Sequence, residues 1–194
     1  MALTDVKVAS RALVLIGADT ISDFDQNPST TESTVAKNLY EGFVEAALSK
    51  YRWRFATGQQ DLSRLSSVPE ARWDAAYQMP ASPPIIVLHA VTVQNEPIKY
   101  DRYENHIYCD ASDTDVVTAD YTYRVETLYW PPYFTEYVVY KIAAVFASSI
   151  AQKADLASTL NAQAQLYFRE AKTVEAQQQT TRQVVSRRLI NVRR

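Results

Sequence analysis

The chain has 194 residues, 47% of them hydrophobic, which suffices for one domain of ordinary size with a sizeable core. Its formal net charge of -2 argues against a protein whose whole surface binds nucleic acid. Five of the 20 basic residues are arginines in the last 13 positions, where no acid occurs. The rest of the chain therefore holds 15 basic and 22 acidic residues, a charge of -7.

Two helices are predicted early in the chain, over residues 4–17 and 29–51, from apolar positions that recur every three or four residues. Thr4 is expected to cap the first helix and Gly17 to end it, and residues 29–32 match a capping box for the second. The expected core positions are Val8, Ala12, Leu15 and Ile16 in the first helix and Val35, Leu39, Phe43 and Ala47 in the second.

The segment that follows the second helix changes its apolar period from that of a helix to that of a strand. Tyr51, Trp53 and Phe55 alternate there with Arg52 and Arg54. One interpretation is a corner of the core, where two layers of structure meet. The other is a surface on which arginines and aromatic rings bind nucleic acid.

Residues 52–132 are predicted to form a small antiparallel β-meander that is rich in tyrosine. Residues 117–123 alternate apolar and polar side chains, which is typical of a half-buried strand. The other strands are predicted at residues 73–79, 85–93, 97–100 and 106–109.

Two further helices are predicted over residues 134–153 and 155–178. The many Ala and Ser residues of the third helix, and Gly42 in the second, predict close helix-helix contacts. The expected core positions are Val138, Ile142, Val145 and Ile150, then Leu156, Leu160, Ala164, Tyr167, Ala171 and Val174. The predicted fold is α+β and mainly helical: a body over residues 1–178, with about four bundled helices, the inserted meander and an extended C-terminal arm.

The arm, residues 179–194, combines arginines with apolar side chains. Burying its apolar side chains on its own body would not offset the entropy lost in ordering the backbone. Three interpretations stay open: a disordered terminus, a protein-docking arm and a nucleic-acid arm. Paired valines and Leu-Ile favour protein docking. The predicted partner-binding residues are Arg182, Val184, Val185, Arg187, Arg188, Leu189, Ile190, Val192, Arg193 and Arg194.

The sequence predicts neither an enzyme nor a cofactor or metal site. Its three glycines are too far apart for a phosphate-binding loop, and no serine lies in a nucleophile elbow. His89 and His106 lie in predicted strands and are interpreted as sheet residues. The acidic loop at residues 19–25 lacks the spacing and the glycine of an EF-hand.

A soluble protein of a reducing compartment is expected. Cys109 is the only cysteine, so no intramolecular disulfide can form. The first residues lack the basic and then apolar pattern of a signal peptide. The most apolar run, residues 142–151, has about half the length of a membrane span.

Several short motifs, in this order of elements, resemble the head-to-tail adaptor (connector) proteins of tailed bacteriophages and gene-transfer particles, such as the tail tubular protein A group. The most specific motif is Arg-Trp-Arg-Phe-Ala at residues 52–56. The others are residues 12–17 (Ala-Leu-Val-Leu-Ile-Gly), 76–80 (Ala-Tyr-Gln-Met-Pro), 121–123 (Tyr-Thr-Tyr) and the alanines at 143, 144 and 147. The chain departs from the family at residues 81–83, Ala-Ser-Pro, where an aspartate is usual.

This resemblance implies a structural virion protein without catalytic residues. It implies a homo-oligomeric ring, usually of twelve subunits, with the portal protein above and a tail, stopper or nozzle protein below. DNA would pass through the channel without sequence-specific binding. The protein would be made in the cytoplasm of the host bacterium and reside in the neck of the virion.

Two rival functions stay open. One is a small nucleic-acid-binding regulatory protein that uses Arg52, Arg54 and the basic arm, and steep salt dependence of DNA binding would favour it. The other is an enzyme, for which a pocket with convergent titratable groups is the minimum evidence.

Overall fold

The computed structural model describes residues 3–67 and 72–178. The predicted arm, residues 179–194, lies outside the described residues with all ten of its predicted partner-binding side chains. Within the described part, four helices and two small antiparallel sheets form an α+β fold. About 46% of the described residues are helical and 22% lie in strands, so the expectation of a mainly helical chain is not confirmed.

The four helices lie where the apolar periodicity predicts them. They are α1 (Asp5–Ile16), α2 (Thr31–Ser49), α3 (Pro132–Ser149) and α4 (Ala154–Gln177). The predicted end of α3 is wrong, because the helix ends at Ser149 and not at residue 153. Gln152, with a φ of 51°, lies in the left-handed region there, and the chain turns directly into α4.

The helix caps are partly as predicted. Thr4 caps α1 through its side chain, and Gly17 ends it with a φ of 76°. The capping box of α2 is shifted by one residue from the predicted box at 29–32. Thr30 and Ser33 form it, each hydroxyl accepting the other residue's backbone N–H, at 3.2 and 3.0 Å.

The apolar stripes are rotated slightly from their predicted positions. Leu15 and Val174 are exposed, although both were expected in the core. Val35, Leu39, Phe43, Val145, Ile150, Leu156 and Tyr167 are only half-buried. Gly42 is exposed, and a Cβ placed on it would meet none of the described residues within 4 Å, so it permits no close helix crossing within the subunit.

The strands form two sheets instead of the predicted single meander. They are β1 (Thr57–Asp61), β2 (Ser63–Arg64), β3 (Ala75–Gln78), β4 (Ile85–Val93), β5 (Glu96–Pro97), β6 (Tyr100–Tyr103), β7 (His106–Cys109) and β8 (Val117–Tyr123). The sheet orders are β1-β8-β4-β5 and β2-β3-β7-β6. The predicted meander is wrong, because β8 pairs with β1 and β4, which are both distant from it in sequence. Ala119 of β8, for example, pairs with Gln60 on one side and with Val91 on the other.

Two clusters of buried side chains hold these elements together. The larger, called here the helical core, joins all four helices around Trp53 and Phe134. The smaller, called here the sheet cluster, lies between the two sheets around Tyr77 and Ile107. α1 and α4 both pack along α3, while α2 also contacts β4 and β8. The surfaces described next lie on elements that pack in the helical core.

Candidate functional site at the Trp53 corner and the end of α4

The segment after α2 is a packing corner, as predicted. Trp53 is fully buried, and its indole N–H donates to the Ala47 carbonyl at 3.0 Å. Its ring meets those of Phe134 and Phe168 edge-to-face, with centroid distances of 5.0 and 6.1 Å. A short 3-10 helix, Arg54–Ala56, then leads into β1. The corner thus joins α2, α3, α4 and the first sheet.

A buried carboxylate ties this corner to the last turn of α4. Glu175 is only 2% exposed, and its Oε1 accepts the backbone N–H of Arg54 at 2.7 Å. That N–H begins the 3-10 helix and has no partner within it, so an acceptor is required. The hydroxyl of Tyr133 donates to the other oxygen of Glu175. Burial, together with this hydrogen bond, raises the pKa of Tyr133.

The same residues hold the end of the described chain. The Arg54 guanidinium donates to the carbonyl of Gln178 at 2.9 Å, and the Gln178 amide donates to the Tyr133 hydroxyl at 3.4 Å. These four residues, Arg54, Tyr133, Glu175 and Gln178, are called here the arm root. They fix the C-terminal end of α4, which directly precedes residues 179–194 in the sequence.

The other arginine of the motif also contacts its own chain. Arg52 pairs with Asp120 of β8 at 3.2 Å. Nearby, the His89 ring and the Thr122 hydroxyl share a hydrogen bond of 2.7 Å across β4 and β8. Burial, and then the charge of Arg52, lower the pKa of His89. His89 and His106 are strand residues, as predicted. Arg52 and Arg54 thus both make contacts within their own chain.

A basic surface lies beside the corner. Arg169 and Lys172 of α4 line a hollow of about 550 Å³ together with Tyr51. Lys50 lies above the ring of Phe168, 4.4 Å from its centroid. Burial, and then the charge of Lys141, lower the pKa of Lys50. These four cations, Lys50, Lys141, Arg169 and Lys172, are called here the basic corner. None of them pairs with an acid within residues 3–67 and 72–178.

Sequence reasoning missed Glu175, although a signal for it exists. The buried positions of α4 are Leu160, Ala164, Ala171 and Glu175, so the acid continues an apolar stripe at helical spacing. An acid in such a position is buried and needs donors. The partners themselves could not be read from α4, because Arg54 lies 121 residues away.

Comparisons with protein-family models and with curated proteins find no match to this chain. In the part of the chain with described structure, no helix is long and apolar enough to cross a membrane. No group of three or more His, Cys, Asp and Glu side chains could hold a metal ion among those same residues.

Proposed function

We propose that this chain is a structural virion protein, a ring-forming head-to-tail adaptor that joins the portal to the tail and surrounds the DNA channel. In this proposal the four helices form the adaptor body and the two sheets form an insertion between α2 and α3. About twelve copies would close the ring, with the portal above and a tail, stopper or nozzle protein below. No catalytic or cofactor-binding residue is assigned.

The arm root is the observation that carries the proposal. Residues 52–56 form the motif most specific to the resemblance. Arg54 of this motif forms hydrogen bonds with Glu175 and Gln178 at the end of α4. A protein that attaches through its C-terminal arm must set the position and direction in which that arm leaves the body. Fixed geometry there lowers the conformational entropy lost on docking.

The charge distribution agrees with a body that surrounds the DNA channel and an arm that docks onto a partner protein. The body carries -7 outside the last 13 residues, whereas the arm carries five arginines. An acidic body lets DNA pass without adhering to it, because phosphates are repelled rather than bound. The arm's arginines and apolar side chains suit a protein surface with carboxylates and apolar pockets.

Deletion of residues 181–194 tests the proposal. The deleted chain should keep the melting transition of the full-length protein, because the helical core and the arm root are complete without it. It should no longer co-sediment with the portal protein of the same particle. Normal attachment of the deleted chain would contradict the docking role of the arm.

Two further variants identify the force that holds the arm. Replacing its five arginines by glutamine removes the charge, and replacing Val184, Val185, Leu189, Ile190 and Val192 by serine removes the apolar surface. If only the serine variant loses the portal, burial of apolar side chains dominates. If only the glutamine variant does, charge pairing dominates. Both variants should melt as the full-length chain does.

A nucleic-acid-binding regulator is the second candidate, and the basic corner is the observation that favours it. Lys141 lies close enough to lower the pKa of Lys50, and Arg169 and Lys172 line one hollow. Binding of bare duplex DNA that weakens steeply with salt, and that is lost in an Arg169→Glu/Lys172→Glu variant, would support this function. An adaptor should show no such binding.

A further inference from the structure

A second charged surface, which contains no residue of the basic corner, lies near the start of α1. Asp5, Glu41 and Glu126 line a hollow of about 550 Å³ near the start of α1. Arg124 pairs with Asp5 at 3.0 Å and with Glu41 at 2.6 Å, so one cation serves these two acids. Glu126 pairs with no cation in the described ranges. This surface is called here the acidic hollow.

Both surfaces also expose large apolar side chains. Leu128 and Tyr129, beside the acidic hollow, are 52% and 64% exposed. Leu166, one turn before Arg169 on α4, is 48% exposed. Each surface thus combines a net charge of one sign with apolar area that the subunit leaves in water, which is typical of an interaction site.

The two surfaces share no lining residue within one subunit. α1 and α4 both pack along α3, and the hollow lies at the start of α1 while the corner lies on α4 and the end of α2. Two different and complementary surfaces on one chain generate a head-to-tail contact between copies. Such a contact closes into a ring when its rotation allows.

We propose that the basic corner of one subunit binds the acidic hollow of the next copy of the chain. Lys50, Lys141, Arg169 and Lys172 would face Glu126 and the partly neutralised pair Asp5 and Glu41. Leu166 would pack against Leu128 and Tyr129. This inference rests on the proposed function, because it identifies the two surfaces through which the adaptor ring would assemble.

A second copy accounts for more of these features than the other occupants do. A DNA backbone would satisfy the four cations but would leave Leu128, Tyr129 and Leu166 in water. The arm of residues 179–194 carries five arginines and would be repelled by the basic corner. One contact between copies covers both apolar areas and pairs both signs of charge.

Cysteine cross-linking tests which surfaces meet. In a Cys109→Ala background, Leu128→Cys and Leu166→Cys are introduced in the same chain, and a short bifunctional thiol reagent is added to concentrated protein. A head-to-tail contact gives a ladder of dimers, trimers and larger species. Each single variant should give no ladder. Dimers from a single variant would show a symmetric contact, and either that result or monomers alone would overturn the proposal.

Charge reversal tests the electrostatic part. Arg169→Glu/Lys172→Glu should reduce cross-linking of the two-cysteine chain about tenfold or more, because like charges then face each other. Adding Glu41→Lys and Glu126→Lys to that chain should restore part of the yield. The matched control is Glu170→Lys, since Glu170 points into a different hollow, beside Tyr133 and Tyr167. An equal loss in the control would overturn the assignment.

The other occupants are separate outcomes of the same assay. Duplex DNA that abolishes the ladder would reassign the basic corner to nucleic acid, and loss of the ladder on deleting residues 181–194 would reassign the acidic hollow to the arm. A portal-bound ring without the cross-link would contradict the proposed contact between copies but would support the adaptor function. A ladder of cross-linked species without portal binding would support the proposed contact and would contradict the adaptor function.

Discussion

The helical core and the sheet cluster are built in different ways. In the helical core, Trp53, Phe134, Tyr137 and Phe168 contact one another edge-to-face or tilted, with centroid distances of 5.0 to 6.4 Å. The sheet cluster has one large buried ring, Tyr77, among mostly smaller side chains such as Cys109 and Val117. Because the helical core packs more large rings against one another, we expect that region to be the more resistant to unfolding.

The largest effect is expected at Trp53. Trp53→Ala should destabilise the subunit by about 3–5 kcal/mol, because it removes a fully buried ring that touches several elements. Urea denaturation measures the change. Arg52→Ala is the control, since the exposed Arg52 contributes one pair with Asp120 and its loss should cost under about 1 kcal/mol. A Trp53→Ala variant that unfolds like wild type would make the corner an exposed binding surface.

Ile107→Ala tests the sheet cluster in the same way. Ile107 is fully buried on β7, and its truncation should cost about 2–5 kcal/mol. If the two regions differ as described, amide hydrogen exchange should rise in β3 and β7 while the protected amides of α3 keep their rates. Equal acceleration in both regions would show one cooperative unit and would break the comparison.

Glu175→Ala should have an intermediate effect that separates stability from attachment. The substitution leaves the Arg54 N–H and the Tyr133 hydroxyl without their acceptor, at a cost of about 1–3 kcal/mol. Glu175→Gln keeps an acceptor for the N–H and should cost less. Portal co-sedimentation of the alanine variant should fall at a temperature where it is still folded. Unchanged co-sedimentation would mean that the arm root is structural only.

The sequence could predict what depends on neighbours along the chain. The cap at Thr4, the stop at Gly17 and the limits of β4, β7 and β8 all follow from local patterns. The two-sheet arrangement could not be predicted, because β1 is the polar run Thr-Gly-Gln-Gln-Asp and gains strand structure only by pairing with β8. A polar edge strand carries no apolar alternation to detect.

The same distinction applies to the candidate site. The aromatic corner at Trp53 was predictable, since its three rings lie within five residues. The arm root was not, because its hydrogen bonds join residues 42 to 124 positions apart. The basic corner likewise combines α2, α3 and α4, and no single stretch of sequence is basic enough to indicate it.

The smallest effect is expected from removing the hydroxyl of Tyr77, and the same change at Tyr133 gives the sharpest comparison of the two regions. The Tyr77 hydroxyl is buried and finds no hydrogen-bond partner among the residues with described structure. Arg64 lies nearby, but its guanidinium is directed to the Ala111 carbonyl and the Asp113 carboxylate. Tyr77→Phe should therefore be neutral or stabilising by up to about 1 kcal/mol, since it removes a polar group whose burial is uncompensated.

Tyr133→Phe is the matched change in the helical core. The Tyr133 hydroxyl donates to Glu175 and accepts from Gln178, so its loss should destabilise by about 1.5–3 kcal/mol, the range for hydrogen bonds to charged groups. Chemical denaturation of the two variants in parallel measures the change in the free energy of unfolding for each. The two changes should differ in sign, although the same hydroxyl oxygen is removed from each tyrosine. If Tyr77→Phe were the more destabilising of the two, the sheet cluster would hold its hydroxyl in a hydrogen bond, and the contrast drawn here between the two hydroxyls would be wrong.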